Sequence, residues 1–310
     1  MRLNTDNRAL ATVCVLAAVG LASAQDAVVK YMSSGYPAYE TLLFRCVGSV
    51  PVIVFMLWRT GSWSIATPLL PRVLFRGLIL AAAYLAFVLS IAAMPIANVV
   101  AIYFTMPFFV AGLAGPMLHE RVRLHRWMAI IAGFMGVLIM VRPGMGVFEP
   151  ASLLALGSAF GYAVGQMLGR PLSQQISPIV IATWQNIVYA SMAALTGILF
   201  NTVDFGTFHH PSLIFLSRPW VWPGPFDATL LLGHGILAAC AMILFINAYR
   251  LAETNFVAPF EYSAMIWAVF YGLILFGDFP DAFTWIGAAI VVIAGIMMIF
   301  RDRTLDRSVR

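Results

Sequence analysis

Glu261 is the residue whose chemistry first asks for an explanation, because it lies in the apolar run N-F-V-A-P-F-E-Y from Asn255 to Tyr262. Holding a charge in hydrocarbon costs at least ~2.5–3.5 kcal/mol, so such a group faces a partner or a watery cavity. Two roles fit it: a site for a cationic substrate group or a proton carrier, and a carboxylate paired to an arginine that only holds helices together. Its neighbours Phe260 and Tyr262 can face the same cavity or fill the core.

Arg45 poses the complementary problem. It lies inside a second apolar run, past Glu40, and a guanidinium stays charged in a protein, so it calls for a fixed anion or a substrate carboxylate. Asp26 and Lys30, four residues apart on one predicted helix, are spaced to face and pair with each other. The spacing predicts a structural cluster of Asp26, Lys30, Glu40 and Arg45 at one membrane face, with a substrate gate as the alternative. Gln25, Asn98, Gln166, Trp184, Gln185, Asn247 and Asn255 are further polar or amphipathic residues within apolar runs, where an interhelical hydrogen bond is worth only ~0.6–2 kcal/mol. Packing is the default reading for most of them. Tyr84, Tyr103, Tyr162 and Trp184 are aromatic candidates for a cavity that stacks flat rings. His234 is a candidate for proton coupling, since histidine titrates near neutrality when unperturbed.

The elements that must position these groups are membrane helices. With 62% hydrophobic residues, 10% charged and a mean hydropathy of +0.91, the chain is far more apolar than a soluble domain, which carries roughly a quarter charged residues. The net charge of +5 is scattered over the ends of apolar runs, which fits topology better than nucleic-acid binding. Cys14, Cys46 and Cys240 lie inside apolar segments without metal or disulfide spacing, so buried thiols are expected. No cofactor or metal is called for.

Ten spans are expected: 9–31, 39–58, 73–93, 97–118, 127–141, 151–168, 179–200, 228–250, 255–276 and 283–300. The first resembles a signal peptide ending at Ala22-Ser23-Ala24, but its apolar run continues to Val29, and retention as a span is expected. Pro51, Pro107 and Pro259 interrupt spans, and such breaks often line a cavity. If the N-terminus is cytoplasmic, Arg2, Arg8, Arg59, Arg72, Arg76, Arg121, Arg123, Arg126, Arg170, Arg250 and the C-terminal arginines share its side. Lys30, Arg142 and Arg218 fall opposite. That asymmetry predicts both termini in the cytoplasm.

The chain also resembles itself. Lys30 aligns with Arg170, Pro37 with Pro178, Asn98 with Asn255, Phe104 with Glu261 and Gly136 with Gly295. Five spans per copy would insert the second upside down, as an inverted repeat with a binding site near the midplane. The expected units are 1–143 and 144–310, the second with a long outer loop at 201–227. Shared small-residue composition is the alternative source of the likeness. In the loop, His209-His210 has no acid or cysteine nearby in sequence, so an interfacial loop is expected rather than a metal site.

Several short motifs in a fixed order carry a family resemblance. They are S-A-Q-D-A-V-V-K-Y from Ser23, Y-P-x-Y-E-x-x-x-x-R from Tyr36, R-G-L from Arg76, P-I-A-N-V-V-A-I-Y-F-T-M-P from Pro95, H-E-R at His119, A-E-T-N-F-V-A-P-F-E-Y and F-G-D-F-P-D from Phe276. Over nearly its whole length the chain resembles an EamA-type carrier of the drug/metabolite transporter superfamily, most like the branch of S-adenosylmethionine uptake and riboflavin carriers. Arg45 matches a recurrent arginine of that family. The resemblance implies ten helices in two inverted repeats, a central cavity, alternating access and no ATPase module, in a bacterial-type inner membrane. The expected function is secondary transport of a small metabolite that is amino-acid-like, S-adenosylmethionine-like or flavin-like; a broad-specificity amino-acid or drug exporter is the alternative. A membrane-embedded enzyme is disfavoured, because H-E-x-x-H, G-x-S-x-G, C-x-x-C and a glycine-rich phosphate loop are all missing from the sequence.

Overall fold

The computed structural model describes residues 8–118, 124–142, 148–203, 205–252 and 254–307. Arg2, Arg121, Arg123, Arg310 and the H-E-R motif at His119 lie outside the described residues. Within them the chain is helical and contains no strand. The elements are α1 (Arg8–Met32), α2 (Ala38–Thr60), α3 (Leu70–Ala93), α4 (Ile96–Tyr103), α5 (Met106–Leu118), α6 (Leu124–Val141), α7 (Ala151–Leu172), α8 (Pro178–Thr202), α9 (Pro211–Ser217), α10 (Pro225–Leu251), α11 (Thr254–Glu261), α12 (Ala264–Tyr271), a π-helical turn at Gly272–Phe276 and α13 (Ala282–Arg307).

Local chemistry sets many of the boundaries. Gly61 ends α2 in the left-handed conformation at φ 66°, and its N–H donates to the Leu57 and Trp58 carbonyls that the last turn leaves open. Pro71, Pro211 and Pro225 enter the first turns of α3, α9 and α10, where a missing N–H costs nothing. Of the three interrupting prolines, two accompany breaks and one does not. The fourth apolar run splits into α4 and α5 at Phe104-Thr105, just before Pro107, and the Thr105 hydroxyl donates to the Ile102 carbonyl at 2.8 Å. The ninth splits after Pro259, where Tyr262 and Ser263 fall back on three-residue bonds to Pro259 and Phe260 at 3.3 and 3.0 Å. Pro51 stays inside an unbroken α2, on its exposed face.

Eight helical stretches are long and apolar enough to cross a membrane, counting α4–α5 and α11 through the π turn as one each. Two shorter apolar helices, Trp127–Val141 and Ala282–Met298, accompany them. Their packing has a simple logic. In the order α1, α10, α2, α8, α3, α7, α4–α5, α11–α12, each long span touches the next, and the last touches the first. The long spans therefore close a circle, and the short pair α6 and α13 lies outside it, against α4–α5 and α11.

Lipid is as apolar as leucine, so association depends on close approach rather than on hydrophobic expulsion. Glycine allows it. A Cβ on Gly48 of α2 would fall on the Leu232 carbonyl of α10, and one on Gly235 of α10 on the Arg45 carbonyl. Similarly, Gly136 of α6 and Gly287 of α13 meet backbone to backbone.

One end of the bundle is tied across its axis, and we call it the Lys30 end. Lys30 Nζ donates to Asp278 at 2.7 Å and to the Met94 carbonyl at 2.9 Å, joining the ends of α1, α3 and the ninth span. Arg142 pairs with Asp281, and His210 Nε2 lies 2.8 Å from Glu149. The segment from α8 to α10 is folded into this end. Ser212 and Phe215 of α9 are buried, Ser212 Oγ donates to the Leu89 carbonyl at 2.7 Å, and the Arg218 Nη1 donates to the Ser33 and Tyr36 carbonyls at 3.0 and 3.2 Å. The expected cluster of four charges does not form. Lys30 reaches past the last turn of α1 to Asp278 instead of back to Asp26, while Glu40 is fully buried and accepts from the Val221 N–H at 3.1 Å.

Substituting Gly235→Val should leave little monodisperse protein after extraction, because the new side chain meets backbone. Gly233→Val, where a Cβ meets nothing within 4 Å, should behave like wild type, and size-exclusion profiles decide it. Asp281 lies outside the spans and half-exposed; burial works against its ionisation, but two Thr284 hydrogen bonds and the Arg142 charge outweigh it and hold the carboxyl below the usual range. That stabilisation is complete above the ordinary aspartate value near ~3.9 and disappears as pH falls through the lowered one. Asp281→Asn should therefore melt lower than wild type at pH 7, and the gap should close under acid conditions.

Candidate functional site

Each member of the circle sends one polar or aromatic side chain towards its axis. Arg45 of α2 is the pivot. Its guanidinium carbon stands 4.7 Å from the ring centroid of Tyr84 on α3 and 5.6 Å from that of Tyr189 on α8. Those two rings stack on each other with centroids 5.6 Å apart. Among the described residues Arg45 makes no hydrogen bond, and its buried Nε has no partner. The cation is therefore held by aromatic faces, an attraction worth up to ~2 kcal/mol when desolvated, with its donors left for something else.

A second layer fixes the platform. The Tyr189 hydroxyl donates to the Leu80 carbonyl at 3.0 Å and receives Gln185 Nε2 at 3.4 Å. Gln185 in turn accepts from Arg76 Nη1 at 2.9 Å, while Arg76 Nε donates to the Gly165 carbonyl at 3.0 Å. On the other side the Tyr84 hydroxyl lies 3.3 Å from Nε2 of His234, a fully buried residue of α10 whose Nδ1 has no partner.

The acids approach from the opposite arc. Asp26 of α1 makes no hydrogen bond among the described residues and lies within electrostatic reach of Arg45. Glu261 ends α11 and accepts from the Tyr249 hydroxyl of α10. Tyr103 of α4 feels both carboxylates, and Tyr162 of α7 meets it edge-on at 5.6 Å. Asp26, Arg45, Tyr103, Tyr162 and Glu261 are deep in the bundle yet keep partly accessible surface, as residues lining an internal chamber do. Gln166 is exposed one turn beyond Tyr162. Asn98, in the first turn of α4, has a buried Oδ1 without a partner.

Other expected site residues go elsewhere. Trp184 donates to the Ile65 carbonyl at 2.8 Å and packs with Val73, Leu172 and Ile181, towards the Arg76 end. Phe260 meets Phe256 with tilted rings, centroids 5.4 Å apart, and packs against the start of α1. Tyr262 sits edge-on to Phe104 at 5.0 Å, and its hydroxyl occupies the space over Gly295 that a Cβ would need. It joins the two broken spans rather than lining the chamber. Asn255 opens α11, and its side chain lies outside the described ones. Sequence reasoning missed Tyr189 and Tyr249 because aromatic residues in spans are so often packing; the polar neighbour Gln185, one turn before Tyr189, was the available signal.

The profile of the EamA-like transporter family matches residues 9–142 and again residues 150–301. The chain belongs to the EamA-like transporter family. It is thus an integral membrane protein of a transporter family, all-helical, with several bacterial relatives. The riboflavin transporter of Vibrio cholerae is 31% identical over 64% of this chain and 61% of its own length, so that alignment spans less than two thirds of the relative. The S-adenosylmethionine uptake transporter of Rickettsia felis is 22% identical over 91% of this chain and 89% of its own. The pseudopaline exporter CntI of Pseudomonas aeruginosa is 24% identical over 89% and 91%. A solved crystal structure superposes with a TM-score of 0.63 at 18% identity, covering 95% of this chain and 98% of its own, and shares the fold.

An unpaired buried cation is a burden on stability unless it is kept for a ligand. Arg45→Met should therefore leave the melting temperature of this EamA-family protein unchanged or raise it by roughly 2–5 °C. A fall of several degrees in detergent would mark Arg45 as a structural tie instead.

Proposed function

We propose that the chain is a secondary carrier for an amino-acid-bearing metabolite with a flat ring, of S-adenosylmethionine-like chemistry, moved by alternating access through the central chamber. The observation that carries this reading is Arg45, whose buried Nε has no partner and whose charge lies within electrostatic reach of Asp26. A zwitterion satisfies both: its carboxylate takes the Arg45 fork and its cationic centre lies between Asp26 and Glu261. A planar ring then finds the faces of Tyr103 and Tyr162, and Asn98 and Gln166 supply further polar contacts. Riboflavin carries no charge at neutral pH, so its binding would leave these ions desolvated and unmatched.

Two inverted repeats, 1–143 and 144–310, underlie the mechanism. Ten spans are counted when α6 and α13 are added to the eight long ones. The packing supports the repeat, because exchanging first-half spans for their second-half counterparts turns the contact of α1 with α10 into that of α7 with α3, and the contact of α10 with α2 into that of α3 with α8. The two broken spans, α4–α5 and α11–α12, exchange with each other and touch. In this arrangement the positive-inside asymmetry puts both termini in the cytoplasm, so the Lys30 end faces outward. Rocking of one repeat against the other would open the two ends in turn, with the tied Lys30 end representing the outward-closed state.

Glu261 is assigned the coupling role. Glu261→Gln should keep a monodisperse, wild-type-like melting profile while abolishing or uncoupling uptake of radiolabelled S-adenosylmethionine into proteoliposomes. Wild-type rates in that variant would remove Glu261 from the mechanism. Thermal stabilisation by riboflavin but not by S-adenosylmethionine would overturn the substrate class.

A further inference from the structure

Beside the tie made by Lys30 lies a cavity of ≈ 500 Å³, whose wall contains none of the residues around Arg45 and Glu261. Its wall includes Lys30, Arg218, Tyr31, Phe276, Ser34 and Ile214. That volume is within the range of small-molecule sites, which run from roughly 300 to 1,000 Å³ and combine apolar walls with a few polar groups.

The charges in this wall are not balanced. Lys30 is matched by Asp278 at 2.7 Å and also stands 5.3 Å from the Phe276 ring centroid. Among the described residues Arg218 pairs with no carboxylate, and only its Nη1 is used, on the carbonyls of Ser33 and Tyr36. The acids in this part of the chain have other partners: Glu149 lies 2.8 Å from His210, Asp227 accepts from the Tyr36 hydroxyl at 2.6 Å, and Glu40 accepts from the Val221 N–H at 3.1 Å through Oε2 while its buried Oε1 has none. The backbone bonds of Arg218 hold its fork in place, so a ligand pays little to organise it.

We infer that this vestibule is a second ligand site, which takes the carboxylate or phosphate of a small molecule on Arg218 and Lys30 and its apolar or flat body against Tyr31 and Phe276. For a free carboxylate ligand the site is the first station on the route to Arg45, and to that extent the inference rests on the carrier reading above. Binding there also has a structural consequence. The incoming oxyanion competes with Asp278 for Lys30, so occupancy loosens the tie between α1, α3 and the ninth span. A lipid phosphate offers the same chemistry from the bilayer.

The test is the rate at which a cysteine placed by Ser34→Cys reacts with a methanethiosulfonate reagent in the full-length protein, measured over the background of the native cysteines. In phosphatidylcholine vesicles, S-adenosylmethionine at ten times its Kd should slow the reaction about tenfold, as occupancy requires. That protection should persist in Arg45→Gln, which damages only the chamber, and disappear in Arg218→Gln. Ile214→Glu, which adds an acid to the wall without touching the bonds of Arg218, should abolish it too. Protection that is missing from the outset, survives both vestibule variants, or vanishes in Arg45→Gln overturns the second site. In phosphatidylglycerol vesicles, slow reaction without added ligand that Arg218→Gln restores assigns the occupant to a lipid phosphate. Loss of uptake with vestibule protection intact would count against the carrier reading alone.

Discussion

The Arg45 guanidinium, lying on the faces of Tyr84 and Tyr189 with no acid hydrogen-bonded to it, constrains most of the structure. A permanent charge at that depth is tolerable only if rings, dipoles and water in the chamber replace its hydration. The two tyrosines must then stay put, which explains the hydrogen bonds behind them to Leu80, Gln185 and His234. Through Gln185 the same chain of bonds reaches Arg76 and the backbone of α7. The hydrogen bonds behind the two rings, which do not involve Arg45 itself, thus connect α3, α7, α8 and α10 around the place where α2 presents the cation.

The other arc of the circle is built differently. Its spans are broken, at Phe104-Thr105 and at Tyr262-Ser263, and the breaks bring aromatic residues from both halves into contact through Phe104 and Tyr262. Interrupted helices are affordable in a membrane only where the freed backbone groups face protein or a cavity. Here short-range bonds within the chain take up some of them, and Glu261, which ends α11 at such a break, meets the Tyr249 hydroxyl of α10.

The two ends of the bundle also differ in kind. At the Lys30 end, the Lys30–Asp278 pair joins α1 to the ninth span, His210 meets Glu149, the segment carrying α9 folds in, and Arg142–Asp281 ties the outer pair α6 and α13. Towards the Arg76 end, Gln166 is exposed one turn from a chamber tyrosine. Ion pairs near a water boundary are individually weak, at ~0–1 kcal/mol for exposed ones. Several such contacts together hold this end more firmly than any one of them would.

Much of this was written in the sequence. Hydropathy located the eight helical stretches long enough to cross ~30 Å of hydrocarbon and the two shorter apolar helices beside them. The misfit of Glu261, Arg45 and Asp26 in those segments singled them out from the sequence, since an ion in lipid always requires a reason. What the sequence did not determine was who pairs with whom. Asp26 and Lys30 are one turn apart, yet Lys30 binds Asp278 across the bundle, and His210 meets Glu149 from a distant segment. Pro51 leaves its helix whole, while Pro107 and Pro259 accompany breaks. Tyr189 and Tyr249 became site residues only because α8 and α10 carry them to Arg45 and Glu261. Span length and burial cost are local properties that a chain carries in its composition; the choice among pairing partners is made by the helix contacts, and those exist only once the circle has closed.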